Sequence, residues 1–272
     1  RYGPLDGSAT ITNTFWTGAS PSLALTALVN TTYPSTRNSV VLPNHVLHHH
    51  SDNKLYILDY VNGQGLIHYI RTTRVTDQGD TNDGSTYNAL DLPHGFLPTC
   101  AESFGSLLVI GTMQTTNATL NQGKSAIFFW DTISPSYNLM IWVPDPVLSA
   151  MKMINGKLHI WSGSFSGGCR ESVYLGGNVL KQVAFHNEAY PPMPGAVDAV
   201  GDRSYWGSFV TYPADKASVF AFGSKDSRIP MGLHNVFDTD SAGASGIVTA
   251  LKFVQNANFM RPRPIVAWSD GS

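Results

Sequence analysis

The densest run of side chains able to hold a metal or move a proton is His45-Val46-Leu47-His48-His49-His50. Histidine titrates near neutrality and is a common metal ligand. Side chains alternate along a strand, so His48 and His50 share one face and His49 takes the other. Two imidazoles on a face fall short of the three or four convergent ligands a metal site needs, and no further ligand is identifiable. The run therefore reads as a polar innermost strand beside a wet channel, with no metal. A second cluster, Asp77-Gln78-Gly79-Asp80-Thr81-Asn82-Asp83-Gly84-Ser85, has the oxygen-rich composition that calcium uses. It lacks the Glu that closes an EF-hand loop at the twelfth position. Asx residues and glycine suit a solvated turn without any ion.

Nucleophilic chemistry is no better provided for. Gly163-Ser164-Phe165-Ser166-Gly167 carries its serines at the wrong offsets for a nucleophile elbow. No glycine-rich phosphate loop precedes a helix. Cys100 and Cys169 are the only cysteines, too few for a disulfide framework or a four-thiolate zinc site. Two buried free thiols are expected, with a single bridge as the alternative. Asn30-Thr31-Thr32 and Asn117-Ala118-Thr119 fit the glycosylation acceptor pattern, which matters only in a secretory pathway. From these absences the chain is expected not to be an enzyme, with no catalytic, cofactor-binding or metal residue and no cofactor.

The elements that would position such residues come from a repeat. A short alternating strand, a turn and an apolar run recur five times: His45 to His50 then Leu55 to Asp59, Pro98 to Glu102 then Leu107 to Gly111, Ala150 to Ile154 then Leu158 to Trp161, Ala196 to Val200 then Tyr205 to Gly207, and Val248 to Lys252 then Ile265 to Trp268. With Leu55, Leu107, Leu158, Tyr205 and Ile265 as anchors, the spacings are 52, 51, 47 and 60. That is near the ~50 of kelch-type repeats and above the ~40–45 of WD40 blades. Further strands are expected at Gly65 to Arg71, Ser125 to Trp130, Leu139 to Val143, Ser172 to Leu175, Val179 to Val183 and Ser218 to Phe222. No stretch holds a helical period over ten or more residues.

A four-stranded sheet of this size buries its faces only against neighbours, and radial closure leaves short protected edges. The expected fold is an all-β propeller of about five four-stranded blades. Residues 45–272 supply the blades, and residues 1–44 supply a strand region that closes the last one. The Ser-x-Asp-x-Gly-x-x-Trp turns of sialidase-type propeller hydrolases are absent; Ser134-Pro135-Ser136-Tyr137-Asn138 is nearest and lacks both Asp and Gly. Of Trp16, Trp130, Trp142, Trp161, Trp206 and Trp268, most lie inside apolar runs, where packing between blades explains them better than sugar stacking.

Charged residues make up 13% of the 272, about half the usual share, and the net charge is −2. No basic footprint marks a nucleic-acid surface. No apolar run reaches the ~20 residues of a membrane span. The chain opens on Arg1 and stops at Ser272 straight after a strand-like run, so a segment of a longer chain or a processed product is expected.

The stretch Val147 to Ser164 resembles the blade openings of propeller proteins among tailed-phage structural proteins. So do Ser204-Tyr205-Trp206-Gly207, Ser218-Val219-Phe220-Ala221-Phe222-Gly223-Ser224-Lys225 and Ile265-Val266-Ala267-Trp268-Ser269-Asp270-Gly271, with their phenylalanine-glycine strand and tryptophan, aspartate-glycine turn. The resemblance covers about residues 140 to 272. It implies a non-enzymatic virion component of the tail, neck or nozzle, acting in assembly or host-surface contact. The partners so implied are other virion proteins, copies of the same chain in a symmetric assembly, or a host-surface glycan. The location implied is the extracellular particle. The alternative is a secreted carbohydrate-binding propeller, lectin-like.

Overall fold

The computed structural model describes residues 46–61, 64–71, 87–114, 123–164, 168–210, 216–223, 232–238, 248–255 and 262–268. Among them are eighteen strands and no helix. Four successive groups are four-stranded antiparallel meanders, the sheet from which propeller blades are made. The first is β1 (Val46–His49), β2 (Lys54–Val61), β3 (Gln64–Arg71) and β4 (Tyr87–His94). The second is β5 (Phe96–Phe104), β6 (Leu107–Gln114), β7 (Ser125–Trp130) and β8 (Leu139–Val143). The third is β9 (Val147–Ile154), β10 (Lys157–Gly163), β11 (Cys169–Gly176) and β12 (Val179–His186), joined to the second in one eight-stranded sheet where Met113 of β6 pairs with Val147 of β9. The fourth is β13 (Val197–Val200), β14 (Arg203–Val210), β15 (Lys216–Gly223) and β16 (Gly232–Asp238). A final pair, β17 (Val248–Val254) and β18 (Arg263–Trp268), stands alone. The protein is thus an all-β β-propeller fold.

Each of the five expected strand-turn-strand units is an observed hairpin: β1/β2, β5/β6, β9/β10, β13/β14 and β17/β18. The turn chemistry explains why they form where they do. Between β9 and β10, Asn155 and Gly156 both have positive φ, 48° and 73°, the backbone of a two-residue turn that matches strand twist. The strand expected from residues 1–44 lies outside the described residues.

The chain divides into two compact units, residues 1–110 with 128–140 and residues 111–127 with 141–272, and β6, β7 and β8 contribute to both. The first unit is packed by edge-to-face rings: Phe96 on Phe128 at 5.3 Å, Tyr56 on Trp130 at 5.9 Å and Phe128 on Tyr137 at 4.9 Å. In the second, Ala150, Trp161 and Cys169 of the third meander pack against Val197, Trp206 and Phe220 of the fourth. Trp161 and Trp206 are wholly buried, each worth about 2–3 kcal/mol of apolar transfer. A second cluster joins Val219 of β15 to Val248 and Leu251 of β17. Gly207 on β14 sits directly under Val248, where any β-carbon would overlap that side chain.

Candidate functional site

The link from β8 to β9 is Val143-Pro144-Asp145-Pro146-Val147, in which two fixed φ angles hold Asp145 in place. The Asp145 carbonyl accepts hydrogen bonds from the Ser125 amide at 2.9 Å and its hydroxyl at 2.8 Å. The Asp145 carboxylate reaches the next meander. Its Oδ2 accepts from Ser162 Oγ at 2.7 Å and from Arg170 Nε at 3.0 Å, and its Oδ1 lies 3.5 Å from Arg170 Nη2. Arg170 Nη1 in turn donates to Gln182 Oε1. Strand alternation makes this possible: the registers Ser162↔Arg170, Ile160↔Ser172 and Ser172↔Gln182 put these side chains on one face of β10–β12. Val143 and Pro144 wall one side, leaving a groove of about 90 Å³ that Ile160, Ser172 and Leu180 also line. Phe185, the cross-strand partner of Arg170, carries that guanidinium 5.4 Å from its ring centre and is 46% exposed.

The same device, a buried polar side chain bonded into the neighbouring meander, recurs elsewhere. His49 at the end of β1 is fully buried; its Nδ1 lies 2.9 Å from Ser103 Oγ on β5, and its Nε2 lies 2.6 Å from Ser51 Oγ and 3.3 Å from the Ser106 carbonyl. Glu171 on β11, with no exposed surface, takes His159 Nδ1 at 2.7 Å on Oε1 and the Ser204 hydroxyl of β14 at 2.8 Å on Oε2. Asp198 on β13 accepts the Phe253 amide of β17 at 2.7 Å and draws in Lys152 of β9 at 3.8 Å and Lys252 of β17 at 3.5 Å. Buried carboxylates persist only where such donors surround them. Chemically, Glu171 holds the His159 ring but hydrogen-bonds Ser204 itself, so these three do not form a nucleophile-base-acid relay.

The expected site residues are scattered rather than gathered. His48 and His50 do share a side, their rings edge to face at 4.7 Å, and His48 Nε2 is 2.8 Å from Asn53 Oδ1. Among the described residues no three His, Cys, Asp or Glu side chains are grouped to hold a metal ion. Cys100 and Cys169 are buried free thiols, and burial, then Glu171 and Asp145, pushes the Cys169 thiol well above its usual range. Trp130, Trp161 and Trp206 are buried as expected, while Trp142 is 48% exposed. His45, Trp16, the Asp77 to Asp83 loop, Phe165 to Gly167 and the acceptor asparagines Asn30 and Asn117 lie outside the described residues, as does the Trp268 side chain. In the hairpin after Trp130, Asp131 accepts from the Ser134 hydroxyl at 2.6 Å, the Ser134 and Ile133 amides at 2.7 and 3.0 Å and the Asn138 amide at 3.0 Å. These bonds, Ser134 foremost, hold its carboxyl well below the usual carboxylate range. Arg170 and Gln182, which line the groove, and Asp145, which holds Arg170, are not singled out by any motif.

No protein-family model matches the chain, and no curated protein does. Among solved structures, the chain is similar to a GH43 glycoside hydrolase engineered to display both endo-xylanase and exo-arabinofuranosidase activity, at TM-score 0.43 and 10% identity over 80% of this chain and 44% of that one. It is similar to an endo-arabinase from Bacteroides thetaiotaomicron, at TM-score 0.42 and 9% identity over 83% and 93% of the two chains. It is also similar to the Dos1 propeller, at TM-score 0.41 and 13% identity over 78% and 63%. The chain spans less than half the length of the first of these.

These findings correct one expectation. The chain was expected not to be an enzyme because catalytic motifs are missing, yet glycoside hydrolases stand among the structures it is similar to. The physical reason is that glycoside hydrolysis needs two carboxylates brought together by the fold, which leave no contiguous motif. The absence of Asp-box turns or a nucleophile elbow therefore excludes nothing. The described residues comprise an all-β propeller fold, buried polar ties between successive meanders, and a small groove over β10–β12 that Val143, Pro144, Ile160 and Leu180 share with Arg170, Ser172 and Gln182.

Proposed function

We propose that the chain is a virion structural protein of a tailed phage, a tail-associated propeller acting in assembly or host-surface contact. The sequence resemblance over about residues 140 to 272 supports it. The observation that carries it is the β11–β12 hairpin. β12 ends its sheet, and Leu175 and Val179 at the tip of that hairpin are 56% and 53% exposed. An edge strand with apolar side chains on its rim is a surface that natural proteins cover or use. In this reading a neighbouring copy covers it, and repetition of that contact around an axis closes a ring.

Light scattering on the eluting protein tests this. The reading expects one defined multiple of the 29.5 kDa chain, reduced to monomer by Val179→Asp without a change in melting temperature. A monomer throughout the micromolar range, or an assembly indifferent to Val179→Asp, contradicts it.

A further inference from the structure

The groove over β10–β12 has a chemistry that the packing of the meanders does not require. Tying β8 to β10 and β11 needs only the Asp145 carboxylate with Ser162 and Arg170. Gln182 and Phe185 lie beyond that tie, on the outermost strand, and both are exposed. Together with the open side of the Asp145 to Arg170 pair, whose side chains are 17% and 29% exposed, they form a strip of donors and acceptors beside an aromatic ring.

The geometry points to this strip as a binding site for a neutral glycan, an uncharged sugar ring lying against Phe185 with its hydroxyls turned into the groove. It rests on the host-surface contact in the reading above and names the ligand class of that contact. Three features select that class. Arg170 and Asp145 cancel one another, so the groove offers polar atoms without the net positive charge that would favour an anionic ligand. Donors and acceptors are mixed: the Gln182 amide nitrogen and remaining Arg170 hydrogens donate, Gln182 Oε1 accepts, and the Ser172 hydroxyl does both. A sugar hydroxyl is itself donor and acceptor, and matches such a set better than a carboxylate or an amine does. Phe185 lies beside the recess rather than in it, with the Arg170 guanidinium over its ring, and its exposed 46% supplies an apolar platform for a sugar's C–H face, as aromatic residues with one wet side do. At about 90 Å³ the recess takes the hydroxyl-bearing edge of one ring, well short of the ~300 Å³ at which pockets engulf whole ligands, so the rest of an oligosaccharide would project out of the recess into solvent.

The test is an array of neutral and acidic glycans probed with the full chain, followed by titration of the strongest neutral binder into wild type, Phe185→Ala and Gln182→Ala. Both substitutions lie on the exposed rim, and unchanged melting temperatures establish that they fold. The expected result is binding to neutral glycans that Phe185→Ala weakens about five- to tenfold and Gln182→Ala weakens several-fold. Binding to acidic glycans alone, binding to none, or binding as tight in both variants as in wild type overturns the assignment. The two readings fail separately. A chain that assembles but meets any of those outcomes loses the groove and keeps the assembly. A monomer that binds through Phe185 keeps the groove and loses the assembly.

Discussion

Glu171 shows how much a single residue can do in this chain. It lies on β11 with no exposed surface of its own and bonds one residue twelve positions back and another thirty-three positions on. Replacing it with alanine leaves the His159 ring and the Ser204 hydroxyl without an acceptor inside the protein. Glu171→Ala is expected to cost about 3 kcal/mol in chemical denaturation, and Glu171→Gln about 1 kcal/mol, because the amide oxygen still accepts. Equal, small losses for both would mean that the tie contributes little. None of Asp145, Glu171 and Asp198 was legible as a site in the sequence. Asp145 and Asp198 are lone acidic residues between apolar neighbours, Glu171 sits between Arg170 and Ser172, and each has a partner in another meander. The histidine run was legible because its members are adjacent, yet adjacency sent His49 into the protein and left His48 and His50 beside one another at its surface.

Asp131 gives the residue scale its pH dependence. Its carboxyl is held below the ordinary carboxylate range in the folded chain, so its contribution is full above the unfolded pKa of about 4 and is lost as pH falls through the lower folded value. Asp131→Ala should therefore lower the melting temperature at neutral pH, and the gap to wild type should close as the solution is acidified below about pH 4. A gap independent of pH would mean that the side chain acts by shape rather than charge.

At the scale of elements, the inner hairpins were readable and the outer strands less so. β5, β6, β9 and β10 are buried on both faces for most of their length, so their apolar runs and the Asn155-Gly156 type of turn mark them plainly. β4, Tyr-Asn-Ala-Leu-Asp-Leu-Pro-His, and β16, Gly-Leu-His-Asn-Val-Phe-Asp, went unread. Both end their sheets, where proline and acidic residues are tolerated and alternation is blurred. The docking of β17 on β14 depends on a missing side chain. Gly207→Ala should cost about 1–3 kcal/mol, because its β-carbon would displace the buried Val248, and pairing it with Val248→Ala should recover part of the loss. Additive losses in the double variant would show that Gly207 is needed for its backbone rather than for the space beneath Val248.

For the whole molecule, repeat spacing was the most informative signal. Four meanders and a final pair appear where the anchors at Leu55, Leu107, Leu158, Tyr205 and Ile265 place them. Activity was not legible in that signal, since one blade architecture serves hydrolases and scaffolds alike, and function resides in the few side chains grafted upon it. Missing motifs were a poor reason to exclude catalysis, because carboxylates act across a fold without neighbouring each other in sequence. The low charge leaves a surface of serine, threonine, asparagine and scattered apolar residues such as Leu175 and Val179, consistent with a chain that meets its own copies.

Two-dimensional electron-microscopy averaging of the purified chain tests the proposed role most directly. Closed rings of one symmetry, with the β11–β12 hairpin at the contact between copies, are the predicted result. Isolated single particles of one chain at every concentration would contradict it.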